Sequence, residues 1–239
     1  MIKDFTDLSD VSIGLVIGSS FLLCGAIFVI LRSFLEYDRR YSSTLVSIFH
    51  HVVVVLLGIW SLNYNLHHVM HNSVLSQSSK FPAVNTIQFI NIGYFLYDSV
   101  HALTWEHNFI IHHMVALAGF LVSHFSGLGG LGNVTNTIIA EIGSIMYNVY
   151  NKHKSRRNYI LFVSIYGITR LVFILWTFWV FGQLWHGYKS ESYAHCLYFI
   201  KFVFIFQALL VFVNIQFLWI HMRKASNILW GTGIQQKTL

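Results

Sequence analysis

Long apolar segments alternate with short polar segments along almost the whole chain. A membrane-spanning helix needs about 20 predominantly apolar residues, and seven segments approach or exceed that length. They are Val11–Leu31, Ser43–Leu62, Ala83–Leu103, Phe109–Ser126, Asn133–Tyr150, Tyr159–Trp185 and His195–His221. The fifth is short and carries several polar side chains, so we expect neighbouring helices to cover its polar face. The pattern predicts an all-α polytopic membrane protein with about seven transmembrane helices.

The composition supports this interpretation. Of the 239 residues, 55% are hydrophobic and 10% are charged, and the mean hydropathy is +0.59. A soluble domain carries about 25% charged residues, so a soluble protein is excluded. The N-terminal sequence is acidic and its apolar run is longer than that of a signal peptide, which indicates a first membrane helix that is retained.

The Lys and Arg residues predict the orientation in the membrane. With seven helices, ten of them fall in the loops and tail on one side and three on the other. Because basic residues are enriched in cytoplasmic loops, the N-terminus is predicted to be lumenal and the C-terminus cytosolic. The same placement explains the net charge of +6, so no nucleic-acid partner is predicted.

Ionisable side chains inside the apolar segments are the first functional signal. Asp98, Glu141 and Arg170 lie well within these segments, where each charge opposes membrane insertion by about 2.5–3.5 kcal/mol. They must therefore face one another, water or a ligand. One interpretation is structural, with either acid paired to Arg170 and histidines hydrogen-bonded between helices. The other is a functional site in a shared interior.

Spacing favours the shared interior. Residues three, four or seven apart lie on one face of a helix, and such polar faces occur on the third, fifth and seventh segments. The candidate site residues are Tyr94, Asp98, His101, Glu141, Ser144, Asn148, Gln207, Asn214, His50, His112, His113 and Arg170. Adjacent helical residues point about 100° apart, so only one of His112 and His113 is expected to face the interior squarely, with His112 favoured.

In their order along the chain, these residues resemble the TLC domain of TRAM, Lag1 and CLN8 proteins, and most of all its small TLC domain-containing members. The matching elements are Leu45–His50, Gly93–Asp98, the pair His112 and His113, Glu141 with Ser144 and Asn148, and Arg170. The resemblance implies six helices in a bundle around a central cavity, preceded by one extra helix. The implied parts are an N-terminal segment at 1–40 with the first transmembrane helix, a TLC domain at 41–224 and a cytosolic tail at 225–239.

Two departures from the family pattern bear on activity. Ile145 stands where small members often carry Pro, and Ser144 stands where ceramide synthases, which are distant relatives in this resemblance, carry a second acid. The resemblance therefore does not extend to ceramide synthesis itself.

The resemblance implies a function in lipid metabolism. It implies an acyltransferase that moves an acyl group from fatty acyl-CoA, or from a lipid ester, to an amine or hydroxyl acceptor. The catalytic residues would be His112, His113, Asp98 and Glu141, because a histidine can remove a proton near neutral pH and an acid can orient it. The other eight candidates would bind substrate.

The alternative is a non-catalytic lipid-binding or transport protein that regulates membrane lipid composition. On both hypotheses the partners are membrane lipids, and the resemblance favours the endoplasmic reticulum. Acyl-CoA would be a co-substrate, and no bound cofactor is expected.

The 14 histidines raise a third alternative, a di-iron site. His67–His71 and His107–His113 faintly resemble the histidine boxes of membrane desaturases and hydroxylases. In the predicted topology the two groups lie on opposite sides of a hydrocarbon core about 30 Å thick. We therefore predict no metal site.

Overall fold

The computed structural model describes residues 10–63, 82–105, 110–189 and 197–229. Within these ranges the chain forms seven α-helices and no strand, which confirms the predicted all-α class for this part of the protein. In chain order the helices are α1 (Asp10–Ser33), α2 (Arg39–Asn63), α3 (Pro82–Trp105), α4 (Ile110–Ser126), α5 (Gly130–Lys152), α6 (Arg156–Lys189) and α7 (Leu197–Leu229).

The helices differ in how apolar they are. Among the described helices, α1, α2, α6 and α7 are long and apolar enough to cross a membrane, and α4 is apolar but shorter. Amide, imidazole and carboxylate side chains interrupt the apolar sequences of α3 and α5. Four candidate spans are typical of a polytopic membrane protein, and the count of seven spans remains a prediction.

Packing encloses the two polar helices. Successive contacts join α2 to α3, α3 to α4, α4 to α7, α7 to α6, α6 to α5 and α5 back to α2, and α5 also touches α3 and α4. Helix α1 packs mainly against α3. Gly93 in α3 permits this approach, because a Cβ atom there would collide with the backbone carbonyl of Ile17. Neighbours therefore cover the polar face of α5, as its sequence requires.

Short connections fix the direction of consecutive helices. Residues 127–129 join α4 to α5, with Gly127 and Gly129 in the left-handed region at φ 67° and 79°, which glycine adopts without a Cβ penalty. Residues 153–155 join α5 to α6, where the Ser155 hydroxyl accepts a hydrogen bond of 3.1 Å from the backbone N–H of Asn158. Such caps satisfy a donor that the first turn of a helix would otherwise leave without a partner.

Candidate functional site

A cavity of about 680 Å³ lies among helices α2 to α7. The first halves of α2, α4 and α6 and the second halves of α3, α5 and α7 line it. The cavity therefore extends from the middle of the helices towards the end of the molecule where α2, α4 and α6 begin. We call this the basic end, because exposed cationic side chains lie there: Arg32, Arg40, Lys152, Lys154, Arg156, Arg157, Arg223 and Lys224.

The structure brings ten of the twelve predicted site residues to this cavity. They are Tyr94, Asp98, His101, His112, His113, Glu141, Ser144, Asn148, Arg170 and Asn214. The other two, His50 and Gln207, are buried but lie outside the lining. The catalytic and binding roles of all twelve stay predictions.

A histidine–carboxylate pair joins α2 to α5 near the middle of both helices. The Nδ1 atom of His51 lies 2.7 Å from Oε2 of Glu141, and the two side chains are 10% and 8% exposed. His51 lines the cavity, while its Nδ1 atom is enclosed. The Nε2 side of the ring is therefore the side that a bound molecule can reach.

A second pair joins α4 to α3. The Nε2 atom of His113 lies 3.1 Å from Oδ2 of Asp98, and the side chains are 12% and 15% exposed. The Tyr94 hydroxyl lies 3.3 Å from the same Asp98 oxygen and 3.0 Å from Oγ of Ser47. Because Nδ1 of His113 is buried and Nε2 is turned to Asp98, this ring does not present a nitrogen to the cavity.

His112 is the third imidazole near the two acids. Its ring centre lies 5.8 Å from that of His113, and it interacts electrostatically with Glu141 and Arg170. Both His112 and His113 line the cavity. Which of the two faces it squarely stays a prediction.

His50 packs behind the site instead of facing it. Its ring stacks on Tyr94, with ring centres 3.6 Å apart and planes 9° apart, so it holds the tyrosine that contacts Asp98. His51, which sequence reasoning missed, continues the face of α2 that carries Thr44 and Ser47 at spacings of three and four residues. That spacing is visible in the sequence and is the signal that identifies His51.

Arg170 reaches the cavity from α6 without pairing with either acid. Its Nη1 donates a hydrogen bond of 3.1 Å to the carbonyl oxygen of Ala140, and its guanidinium carbon lies 4.2 Å from the centre of the Tyr166 ring. Gly143 allows α6 to approach α5 closely, because a Cβ atom there would lie 2.6 Å from Oγ1 of Thr169. In the described ranges both ion pairs of the acids use histidine, so the structural interpretation in which an acid pairs with Arg170 is wrong.

Further aromatic and polar side chains near the basic end also line the cavity and were not predicted from the sequence: Ser43, Tyr147, Asn151, Tyr166, Phe217 and His221. The Tyr159 hydroxyl donates a hydrogen bond of 3.1 Å to the carbonyl oxygen of His221. Tyrosines are common wherever a membrane helix meets water. The sequence therefore carries no signal that separates those lining a cavity from those facing lipid headgroups.

The predicted absence of a metal stays a prediction. Among the residues that the structure describes, no three His, Cys, Asp or Glu side chains gather closely enough to hold a metal ion. The loop histidines His67, His68, His71 and His107 lie outside the described residues.

The family model for the TLC domain matches residues 40–222 of the 239. The chain therefore belongs to the TRAM, LAG1 and CLN8 family of TLC-domain proteins, as its motifs indicate. Together with its apolar helices, this membership makes it an integral membrane protein of a family linked to lipid biology. Searches of curated proteins and of solved structures found no match.

Proposed function

We propose that this protein is a lipid acyltransferase of the endoplasmic reticulum membrane. It would transfer an acyl group from fatty acyl-CoA to an amine or hydroxyl group of a lipid. The observation that carries the proposal is the His51–Glu141 pair, in which a carboxylate holds one ring nitrogen while the other side of the ring borders a cavity. This is the arrangement of base and orienting acid that acyl transfer uses. The cavity volume, about 680 Å³, falls within the range of about 300–1,000 Å³ for ligand pockets.

The proposed reaction needs no group that the cavity does not provide. His51 would remove the proton from the acceptor hydroxyl or amine as its oxygen or nitrogen attacks the thioester carbonyl. The thiolate of CoA would leave as the carbon–sulfur bond breaks and take the proton from the imidazolium. Glu141 would hold the ring and stabilise its charged form. His112 offers a second route, in which a ring nitrogen attacks the thioester carbonyl and expels the CoA thiolate to form an acyl-imidazole. The lipid amine or hydroxyl would then attack that intermediate and release the imidazole.

Three cavity side chains are candidates to stabilise the negative charge that develops on the carbonyl oxygen. Arg170, Tyr94 and Asn148 line the same cavity as the histidines. A donor placed beforehand in a site that excludes water stabilises such a charge more than water does. The His113–Asp98 pair would hold α4 against α3 and so position His112.

The charge distribution supports an orientation in which the cavity opens to the cytosol. The cavity extends towards the basic end, where Arg40 lines it, and basic residues are enriched on the cytoplasmic side. The N-terminus would then be lumenal and the C-terminus cytosolic, with all seven helices spanning the bilayer. The same cations would attract the phosphates of acyl-CoA.

The test is whole-cell lipidomics on matched lines that express the native chain or single variants at equal membrane levels. The informative variants are His51→Asn and His112→Gln. Asparagine places an amide N–H where His51 has Nδ1, so the contact with Glu141 is kept while the base is removed. The proposal expects that the native chain shifts the acyl composition of one lipid class and that His51→Asn abolishes or strongly reduces the shift. A loss in His112→Gln instead would favour the route through an acyl-imidazole.

A matched control comes from the same helix as His112. His124 lies near the other end of α4, outside the cavity lining, with its ring against Phe89 at 5.1 Å between centres. His124→Gln should leave the lipid shift intact. If His51→Asn and His112→Gln also leave it intact, neither histidine is catalytic and the acyltransferase proposal fails.

The second candidate is a non-catalytic lipid-binding or transport protein. The observation that favours it is that each histidine–carboxylate pair bridges two helices, α2 to α5 and α3 to α4, as a purely structural contact would. This function predicts that purified protein extracts a lipid from vesicles without changing its acyl chains. Mass spectrometry of the bound and the unbound lipid separates the two functions.

A further inference from the structure

Arg170 of α6 carries a buried positive charge at the wall of the cavity. The residue is 4% exposed and lines the cavity. Its guanidinium donates a hydrogen bond to the carbonyl oxygen of Ala140 and lies over the ring of Tyr166, and neither contact supplies a full negative charge. Both acids of the cavity, Asp98 and Glu141, make their ion pairs with histidine. Within the described ranges, therefore, no carboxylate forms an ion pair with Arg170.

The guanidinium keeps donors that no described residue uses. A guanidinium has five N–H donors and cannot be deprotonated in a protein. One Nη1 donor of Arg170 has a described acceptor, and Nε is enclosed without one. The Nη side of the group is therefore the side that meets the cavity. Charged side chains at membrane depth are paired or face a ligand, so this side of Arg170 calls for an anion that a bound molecule supplies.

The surroundings of Arg170 also suit an anion. Helices α6 and α7 are antiparallel, and a Cβ atom on Gly167 would lie 3.8 Å from a methyl group of Leu218. About one turn further along both helices, Arg170 and Asn214 therefore lie at a common level. The Asn214 amide lines the cavity and gives one N–H to a carbonyl of its own helix, so its second N–H is available to a ligand. His112, which interacts electrostatically with Arg170, lines the same cavity.

Arg170 lies deep in the cavity, at the level of the His51–Glu141 pair. The carbonyl that accepts its hydrogen bond belongs to Ala140, the residue before Glu141. The rise from Arg156, where α6 begins at the basic end, to Arg170 is about 21 Å. The phosphates of CoA are separated from its thioester by the pantetheine arm, so a thioester at His51 leaves them towards the basic end. The anion that fits Arg170 therefore belongs to a different molecule, whose charged group enters the deep part of the cavity.

We propose that Arg170 binds an anionic oxygen group, a phosphate or a carboxylate, on the head group of the lipid that the cavity receives. A guanidinium suits either group, because two of its N–H donors match two of the oxygens. This rests on the proposed function only in requiring that the cavity binds a lipid. For acyl transfer it names the acceptor as an anionic lipid whose hydroxyl or amine lies near its charge. Tyr94 and Asn148 are then left to stabilise the carbonyl oxygen.

The test is equilibrium binding of radiolabelled lipids to the purified protein in nanodiscs, without an acyl donor and with uptake by empty nanodiscs subtracted. Oleoyl lysophosphatidic acid and monooleoylglycerol share an acyl chain and differ by the phosphate. Oleic acid and oleyl alcohol make the same comparison for a carboxylate. We expect the native chain to bind one anionic lipid about tenfold tighter or more than its neutral counterpart, as for a hydrogen bond to a charged group. The lipid pair that shows this preference identifies the anion.

Three variants assign the preference to Arg170. Arg170→Gln should abolish it, while unchanged binding of the neutral lipid shows that the cavity is intact. Arg170→Lys keeps the charge but not the paired donors, and should keep only part of the preference. Arg223→Gln is the matched control, because Arg223 is exposed at the basic end of α7 and lies outside the cavity lining. This change should leave the preference intact.

The outcomes separate this proposal from the proposed function. Equal affinity of the native chain for anionic and neutral lipids would overturn the role of Arg170 and leave lipid binding standing, whereas binding of no lipid would contradict both. A preference that survives in Arg170→Gln, or that Arg223→Gln weakens as much, would show that general positive charge attracts the lipid. If Arg170→Gln binds neither lipid, Arg170→Lys decides: a weakened preference with unchanged binding of the neutral lipid supports the proposal, and an unchanged preference contradicts it.

Discussion

The two histidine–carboxylate pairs look alike in sequence but differ in how each ring is held. Glu141 takes Nδ1 of His51 and leaves the Nε2 side towards the cavity, whereas Asp98 takes Nε2 of His113, whose Nδ1 is buried. A histidine in contact with a carboxylate therefore keeps one ring nitrogen towards the cavity in the first pair and has neither nitrogen towards it in the second. The choice of ring nitrogen separates the base proposed at His51 from the helix-to-helix contact at His113.

The largest expected effect is on catalysis at the first pair. His51→Asn should lower the rate of acyl transfer by about a hundredfold or more, the usual effect of losing a general base. His113→Gln, which keeps a donor to Asp98 in place of Nε2, should lower it less than tenfold. Acyl transfer by purified protein in nanodiscs measures both. Equal losses in the two variants would contradict the division of roles.

Removing the acid of the first pair should damage the fold. Glu141→Ala breaks a contact that is about nine-tenths buried and joins α2 to α5, and breaking a buried pair costs on the order of 3 kcal/mol of unfolding free energy. Thermal unfolding followed by size-exclusion chromatography in detergent measures the loss. Glu141→Gln is the control, because its amide oxygen still accepts a hydrogen bond from His51 and the loss should be smaller. A stability of Glu141→Ala equal to that of the native chain would show that the pair does not hold the helices together.

A smaller loss of unfolding free energy is expected from changes at the His113–Asp98 pair. Tyr94→Phe removes the hydroxyl that lies 3.3 Å from Asp98 but keeps the ring stacked on His50. The loss of one hydrogen bond costs about 1 kcal/mol. The same unfolding assay applies. Combining Tyr94→Phe with His113→Gln should give less than the sum of the single effects, since both side chains contact one Asp98 oxygen. Strict additivity would mean that the three groups do not act as one network.

The smallest loss of unfolding free energy is expected at Ser47, which contacts Tyr94 beside the His113–Asp98 pair. Ser47→Ala removes the hydroxyl 3.0 Å from the Tyr94 oxygen, but the tyrosine still donates to Asp98. We therefore expect a loss of less than about 0.5 kcal/mol, as for most substitutions that leave no buried group without a partner. A loss as large as that of Tyr94→Phe would place Ser47 at the centre of the network.

The order of the helices and much of the site could be predicted from the sequence. Charged residues are costly in lipid, so Asp98, Glu141 and Arg170 indicate a polar interior among the helices. Helical spacing places Tyr94 and Ser144 on the same helix faces as the acids. Each of these lines the cavity. The match of the TLC family model to residues 40–222 agrees with the motif order.

The sequence did not show which side chains pair with the two acids. The sequence offered Arg170 as the natural partner of either acid, but Arg170 donates to a backbone carbonyl and lies over Tyr166, while the acids contact histidines. Which of the adjacent residues His50 and His51 faces the cavity depends on the rotation of α2 about its axis. Packing against α3 and α5 sets that rotation.

The sequence by itself therefore determined that the chain is helical, that it suits a membrane, and that its polar residues gather in an interior, because hydrophobic length and the cost of buried charge act along each helix separately. Only the tertiary structure decided which imidazole meets which carboxylate, through which nitrogen, and that Arg170 pairs with neither acid. Those features depend on distances between helices that are far apart in the chain, and no local pattern encodes such distances.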